Sequence, residues 1–138
     1  MEEILEKLLL PSPDIRTLPA VEAKLIIAFR LAVVASKNEY DFKERLADRL
    51  GGERAATRIL ILAETIGAAW PERFQIGRPC CSLTTPEEIW LIASIRLAAG
   101  GNRPAFDSLS CEMIGESERE RIYTDLCGFV AAYMGTRG

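Results

Sequence analysis

A chain of 138 residues with 17 basic and 20 acidic side chains, formal net charge -3, is the size of one domain and has no surplus of positive charge with which to hold nucleic acid or anionic lipid over a broad surface. Hydrophobic residues make up 49% and charged residues 27%, which is too apolar for intrinsic disorder and ordinary for a folded domain. Histidine is absent, and its absence removes Ser-His-Asp and Cys-His catalysis, His-ligated zinc and haem, and the Glu-x-x-His di-iron bundles.

Helix start and stop signals divide the chain into about seven segments, with no period-two alternation long enough for a sheet. The first, Glu2 to Leu10, has an acidic start and a leucine run that stops at Pro11, unlike the basic start and longer apolar centre of a signal peptide. Ser12-Pro13-Asp14 then forms a turn. A second segment begins after Thr17 with Pro19 in its first turn and runs to about Ser36; Val21, Leu25, Ile26, Phe29, Val33 and Val34 make it apolar nearly all round, the pattern of a central buried helix. Asp41 caps a third segment that ends at Gly51-Gly52. The fourth runs from about Glu53 to Trp70 and stops at Pro71, and Ile59, Leu62, Ile66 and Ala69 give it a continuous apolar stripe that packs on the second.

Residues 71–84 form the longest irregular stretch, broken by Pro71, Gly77 and Pro79. Thr85-Pro86-Glu87-Glu88 is a strong helix start, with a capping hydroxyl, proline in the first helical position and a glutamate three residues after the cap. The fifth segment runs from Pro86 to Ala99 and ends at Gly100-Gly101. A sixth spans about Arg103 to Ile114 behind an Asn102 cap. Ser117-Glu118-Arg119-Glu120 reads as a second capping box, opening a final helix to about Met134 with Ile122, Leu126, Phe129, Val130 and Tyr133 on one face. The expected fold is therefore all-α: one domain over residues 1–138, an irregular bundle of about six to seven helices built around the second, fourth, fifth and last segments. The longest apolar stretches, Leu25 to Ala35 and Ile59 to Trp70, are interrupted by Arg30 and Glu64 and fall short of the roughly 20 apolar residues that cross a bilayer. A cytoplasmic protein without a membrane partner is the expectation.

Three constellations carry chemistry. Leu46, Ala47, Leu50 and Gly51 lie where a helix-turn-helix places apolar residues, a small one and the turn glycine. The likeness fails at Gly52 and Thr57, which stand where aliphatic residues belong, and residues 41–58 set five basic side chains against four acidic ones. An ordinary helical hairpin is the preferred reading and DNA binding the second alternative. Within it Arg54 and Arg58, four apart on one helix, are candidate contacts for a carboxylate, phosphate or nucleic acid, weighed against a solvated helix face. The glutamates at 87, 88, 116, 118 and 120 lie at helix starts, where negative charge complements the dipole, and no catalytic role is assigned to them.

The cysteines at 80, 81, 111 and 127 are the third constellation. Arg78-Pro79-Cys80-Cys81-Ser82 precedes a helix start, and a nearby arginine with unpaired backbone N–H groups favours a thiolate, which makes Cys80 and Cys81 candidate redox thiols. Adjacent cysteines seldom supply two ligands of one tetrahedral site, and there is no Cys-x-x-Cys knuckle, so neither a metal nor another cofactor is expected. Cys127 shares a helix stripe with Tyr123, Val130 and Met134, the setting of a small hydrophobe, and structural, inert thiols, with Cys80 and Cys81 buried against apolar neighbours, are the preferred reading.

The string Ile76-Gly77-Arg78-Pro79-Cys80-Cys81 followed by Thr85-Pro86-Glu87-Glu88 resembles the central element of a family of small uncharacterised bacterial helical proteins with a Pro-Cys-Cys element before a Thr-Pro-Glu-Glu helix start. The resemblance implies a helical bundle and a bacterial cytoplasm, and carries no activity. The leading functional expectation is a non-enzymatic helical interaction or regulatory module. Its partner is a second copy of the chain or another protein, because the second, fourth and fifth segments are apolar on nearly every side and only one or two of them can be central in 138 residues. The first alternative is a redox sensor or enzyme centred on Cys80 and Cys81.

Overall fold

The computed structural model describes residues 14–37 and 43–137. Among them stand six α-helices, α1 (Ala20–Lys37), α2 (Lys43–Leu50), α3 (Glu53–Ala69), α4 (Pro86–Ala99), α5 (Arg103–Ser110) and α6 (Glu116–Arg137), preceded by a single 3-10 turn, Ile15–Thr17. There is no strand among the described residues; one isolated antiparallel bridge joins Asp14 to Leu83, with the Ile15 amide donating to the Ser82 carbonyl at 2.6 Å. The protein is an all-α bundle, as the punctuation requires. The expected segment Glu2 to Leu10 and the expected cap Asp41 lie outside the described residues.

The helix ends follow local chemistry. Thr85 caps α4 with both halves of a capping box: its hydroxyl accepts from the Glu88 amide at 3.1 Å, and the Glu88 carboxylate accepts from the Thr85 amide at 2.9 Å. Asn102 caps α5 by accepting from the Ala105 amide at 3.1 Å. Gly51, at φ 85°, makes the left-handed turn that ends α2. Two boundaries differ from expectation. Helix α5 stops at Ser110, and turns carry the chain to Ile114. Helix α6 opens at Glu116, so Ser117 sits inside the first turn and cannot cap it.

Helix α3 packs most extensively on α6, and also on α1 and α2, while α4 packs on α6, α5 and α1. Leu62 and Ile66 of α3 and Leu126 and Phe129 of α6 are all buried in the one hydrophobic core. An aromatic chain runs from the interhelical loop into the core: Trp70 and Trp90 lie 4.8 Å apart between ring centroids, Trp70 and Phe74 also 4.8 Å, and Trp90 continues to Phe106 at 6.2 Å. The buried Trp90 indole donates to the Ser110 hydroxyl at 3.0 Å, which satisfies the one polar atom that such a ring brings inside. Phe74 thereby anchors residues 70–85 to the helices and fixes where the cysteine-bearing loop lies.

Candidate functional site

Arg30 interrupts the apolar face of α1 and points into the protein, where its side chain is 0% exposed. A guanidinium has five N–H groups, and all five are engaged. Nε and Nη2 grip Glu88 as a fork, donating to Oε2 at 2.6 Å and to Oε1 at 2.9 Å. The other three hydrogens go to the backbone of the cysteine loop: Nη1 donates to the Arg78 carbonyl at 2.9 Å and the Cys81 carbonyl at 2.7 Å, and Nη2 to the Leu83 carbonyl at 2.9 Å. The Glu88 hydrogen bonds outweigh burial and push the guanidinium above its ordinary range, so it stays charged.

Glu88 is as fully used. Besides Arg30 it accepts from the Thr85 amide and, at 3.3 Å, from the Gly77 amide. Its role is therefore larger than the helix-dipole complement read from the sequence: it is the counter-ion of a buried cation. Gly77 lies against the guanidinium so closely that a Cβ there would fall 2.4 Å from Nη2 and 2.6 Å from Cζ. Thr85 adds a last tie, its hydroxyl donating to the Gln75 carbonyl at 2.7 Å. The stretch from Gln75 to Glu88 is folded around one arginine delivered from another helix.

That construction decides where the thiols go. Arg78 to Cys81 form a turn closed by the Cys81 amide on the Arg78 carbonyl at 2.9 Å, with Pro79 at its second position, where a fixed φ suits it. Because Arg30 draws the carbonyls of residues 78, 81 and 83 inward, the turn projects its side chains outward, and Cys80 and Cys81 are both exposed. The expectation of buried thiols does not hold for this pair. All four cysteines are free thiols; Cys111 is exposed as well and Cys127 is half-buried. Among the described residues no group of three or more His, Cys, Asp or Glu side chains is placed to hold a metal ion.

Arg54 and Arg58 lie elsewhere, in the first half of α3, on the i, i+4 row that continues into the buried Leu62 and Ile66. They face a cleft of about 730 Å³ between α3 and α6, lined also by Lys43, Glu53, Thr57 and a floor of Gly128, Ala131, Ala132 and Gly135. The α2–α3 hairpin does turn on Gly51, but the arginine face of α3 is set in a concavity. A helix that enters the DNA major groove has to stand proud of its neighbours.

Sequence reasoning missed Arg30 and half of Glu88. The signal for Arg30 was present, since a charge in the middle of an eleven-residue apolar run is either paired or functional. The signal for Glu88 was masked by its second role in the capping box. The chain matches no protein-family model, no curated protein and no solved structure. Among the described residues no helix is long and apolar enough to cross a membrane.

Proposed function

We propose that the protein is a non-enzymatic, thiol-based regulatory module whose reacting groups are Cys80 and Cys81. One observation carries this reading: two adjacent thiols are exposed on a turn whose carbonyls are held by a wholly buried arginine. A surface turn needs no such support for stability, and burying a guanidinium and a carboxylate is costly unless every polar atom is satisfied. The support makes sense as a means of holding two nucleophiles in a fixed position and coupling them to α1 and α4.

The chemistry is thiol–disulfide exchange. A thiolate at 80 or 81 attacks a low-molecular-weight disulfide, one sulfur–sulfur bond forms as another breaks, and the leaving thiolate carries away the electron pair. Bridging of the two neighbours to each other is disfavoured, because the eight-membered ring strains the peptide between them. A reducing cytoplasm is the compartment in which such thiols stay free between events. Native alkylation at neutral pH, read by mass spectrometry, tests the proposal against an internal control. Cys111 is exposed too, but among the described residues Arg30 is the buried arginine and it bonds the 78–83 turn, not Cys111, so labelling at 80 or 81 that clearly outpaces labelling at 111 supports the reading. Equal rates at all three reduce it to bare exposure and sink it.

Self-association is a second reading, favoured by a different observation. An apolar groove of about 180 Å³ runs between the start of α1, α4 and the end of α6, with Val21 at 45% and Met134 at 62% exposure on its rim. The Glu22–Arg96 ion pair borders it, and a patch edged by one charge of each sign is self-complementary across a two-fold axis. A second copy of the chain is the occupant this arrangement suits. Light scattering at micromolar concentration should give a mass above 15.3 kDa that falls in Met134→Asp; a monomer at every concentration removes this reading.

A further inference from the structure

We propose that the cleft between α3 and α6 binds a phosphorylated small molecule, with its phosphoryl group on Arg54 and Arg58 and its organic body on the floor of α6. This site is independent of the thiols. Among the described residues, three cationic side chains, Lys43, Arg54 and Arg58, line it against one carboxylate, Glu53. Arg54 and Arg58 share a helix face at i and i+4, where like charges repel and weaken the helix that carries them. Neither makes a hydrogen bond or ion pair with any of the described residues, so no described acceptor competes for the two forks that line the cleft.

The shape fits that class of ligand. A cleft of about 730 Å³ lies in the range that takes small molecules and cofactors, and two guanidinium forks match the oxygens of a phosphoryl dianion. The first turn of α3 lies beside them with no side-chain cap, since Gly52 precedes it, and such a turn presents unpaired N–H groups and the positive end of the helix dipole. The floor completes the selection. Arg58 extends along α6 at Gly128, where a Cβ would stand 3.1 Å from Nη1 and 3.4 Å from Cζ, and the neighbouring Ala131 and Ala132 offer only small apolar side chains, which leave room for a ring or sugar face. A duplex is read by elements that protrude into its grooves, so a concavity favours the free small molecule over duplex DNA.

Titration calorimetry on the full chain at low salt, with AMP, glucose 6-phosphate and inorganic phosphate, tests the assignment. At least one of the two organic phosphates should bind more tightly than inorganic phosphate. Arg54→Ala and Arg58→Lys should each weaken it about tenfold, the lysine because it keeps the charge and loses the fork. Ala131→Leu should weaken the organic phosphate and leave inorganic phosphate unchanged, with the melting temperature of each unliganded variant as the control for folding. No binding at millimolar ligand, binding indifferent to both arginines, or inorganic phosphate matching both organic ligands overturns the proposal. So does a mixed-sequence DNA duplex bound more tightly than AMP with the same arginine dependence, which would make the cleft a nucleic-acid surface.

Discussion

Arg30 is wholly buried with all five N–H groups engaged, whereas Arg54 and Arg58 are exposed beside a cleft and make no bond to any described residue. The same kind of side chain thus serves as an internal scaffold at Arg30 and as an open donor set at Arg54 and Arg58. Charge alone does not tell the two uses apart; the supply of acceptors does. Around Arg30 the chain provides a carboxylate and three carbonyls, and around Arg54 and Arg58 the described residues provide no bonded acceptor.

The comparison breaks first, and most visibly, at Arg30. Arg30→Ala leaves Glu88 charged and buried with its main partner gone, a loss of about 3–5 kcal/mol against a total stability of about 5–15 kcal/mol for a domain. Urea unfolding should show the midpoint collapse. Replacing both partners by apolar residues often restores stability at an isolated buried pair, but Arg30→Met with Glu88→Leu should recover little here, because the carbonyls of Arg78, Cys81 and Leu83 would still lack their donors. Full recovery would mean that the loop contacts are incidental and that the thiol turn is not held by Arg30.

A pair of glycine substitutions sharpens the same contrast. Gly77 and Gly128 each lie against an arginine side chain, and a Cβ added at either would stand 2.4 Å and 3.1 Å, respectively, from the nearest guanidinium nitrogen. Gly77→Ala must displace a group fixed by five hydrogen bonds and should cost about 1–3 kcal/mol, the range for overpacking. Gly128→Ala meets an arginine with no bonds to described residues to break, inside a helix where alanine is favoured over glycine by about 0.5–1 kcal/mol; it should be neutral or stabilising. Thermal melts of the two variants side by side decide the point, and equal losses would erase the distinction between a locked and a free guanidinium.

Glu87 offers a smaller test next to Glu88. Its Oε2 is buried with no hydrogen-bond partner among the described residues, and desolvation pushes its carboxyl above the ordinary value of 4.5. A raised carboxyl favours the folded state in its protonated form, so this contribution is present in full below pH 4.5 and is lost as pH rises through the folded-state value. Glu87→Gln should therefore be slightly more stable than the natural chain near neutral pH and equal to it in acid. Asp14 runs the opposite way, since the Arg16 side chain holds it down to about 2; its contribution is present above pH 3.8 and disappears as pH falls through about 2. Chemical melts across that range separate the two signs.

Most of the fold was legible because helix punctuation is local: Thr85-Pro86, Asn102 and Gly51 each act through atoms within four residues of themselves. Ser117 misled because the helix opens two residues earlier than a Ser117 cap requires, directly after Gly115, with Glu118 folded back over that glycine. The site was less legible for a physical reason. Arg30 meets Glu88 across 58 positions of chain and Cys81 across 51, and no periodicity reports a pairing that only tertiary structure creates. The outward turn of Cys80 and Cys81 follows from that pairing, so it could not be read from the motif, whereas Arg54 and Arg58 were visible as neighbours on one helix face because their relation is again local.

The smallest expected effect closes the comparison from the other side. Arg54→Ala and Arg58→Ala remove cations that hold none of the described residues, and surface substitutions of that kind stay within about 0.5 kcal/mol of the parent. Two opposing contributions enter for Arg58: its stem loses contact with α6 at Gly128, while the helix is relieved of a like-charge pair worth about 0.2–0.5 kcal/mol. They offset, and the double variant should melt with the natural chain. Raising the salt concentration should narrow any residual gap further, because the repulsion between exposed charges is screened. A loss of more than about 1 kcal/mol in either single variant would show that these arginines are structural after all, and would erase the contrast with Arg30.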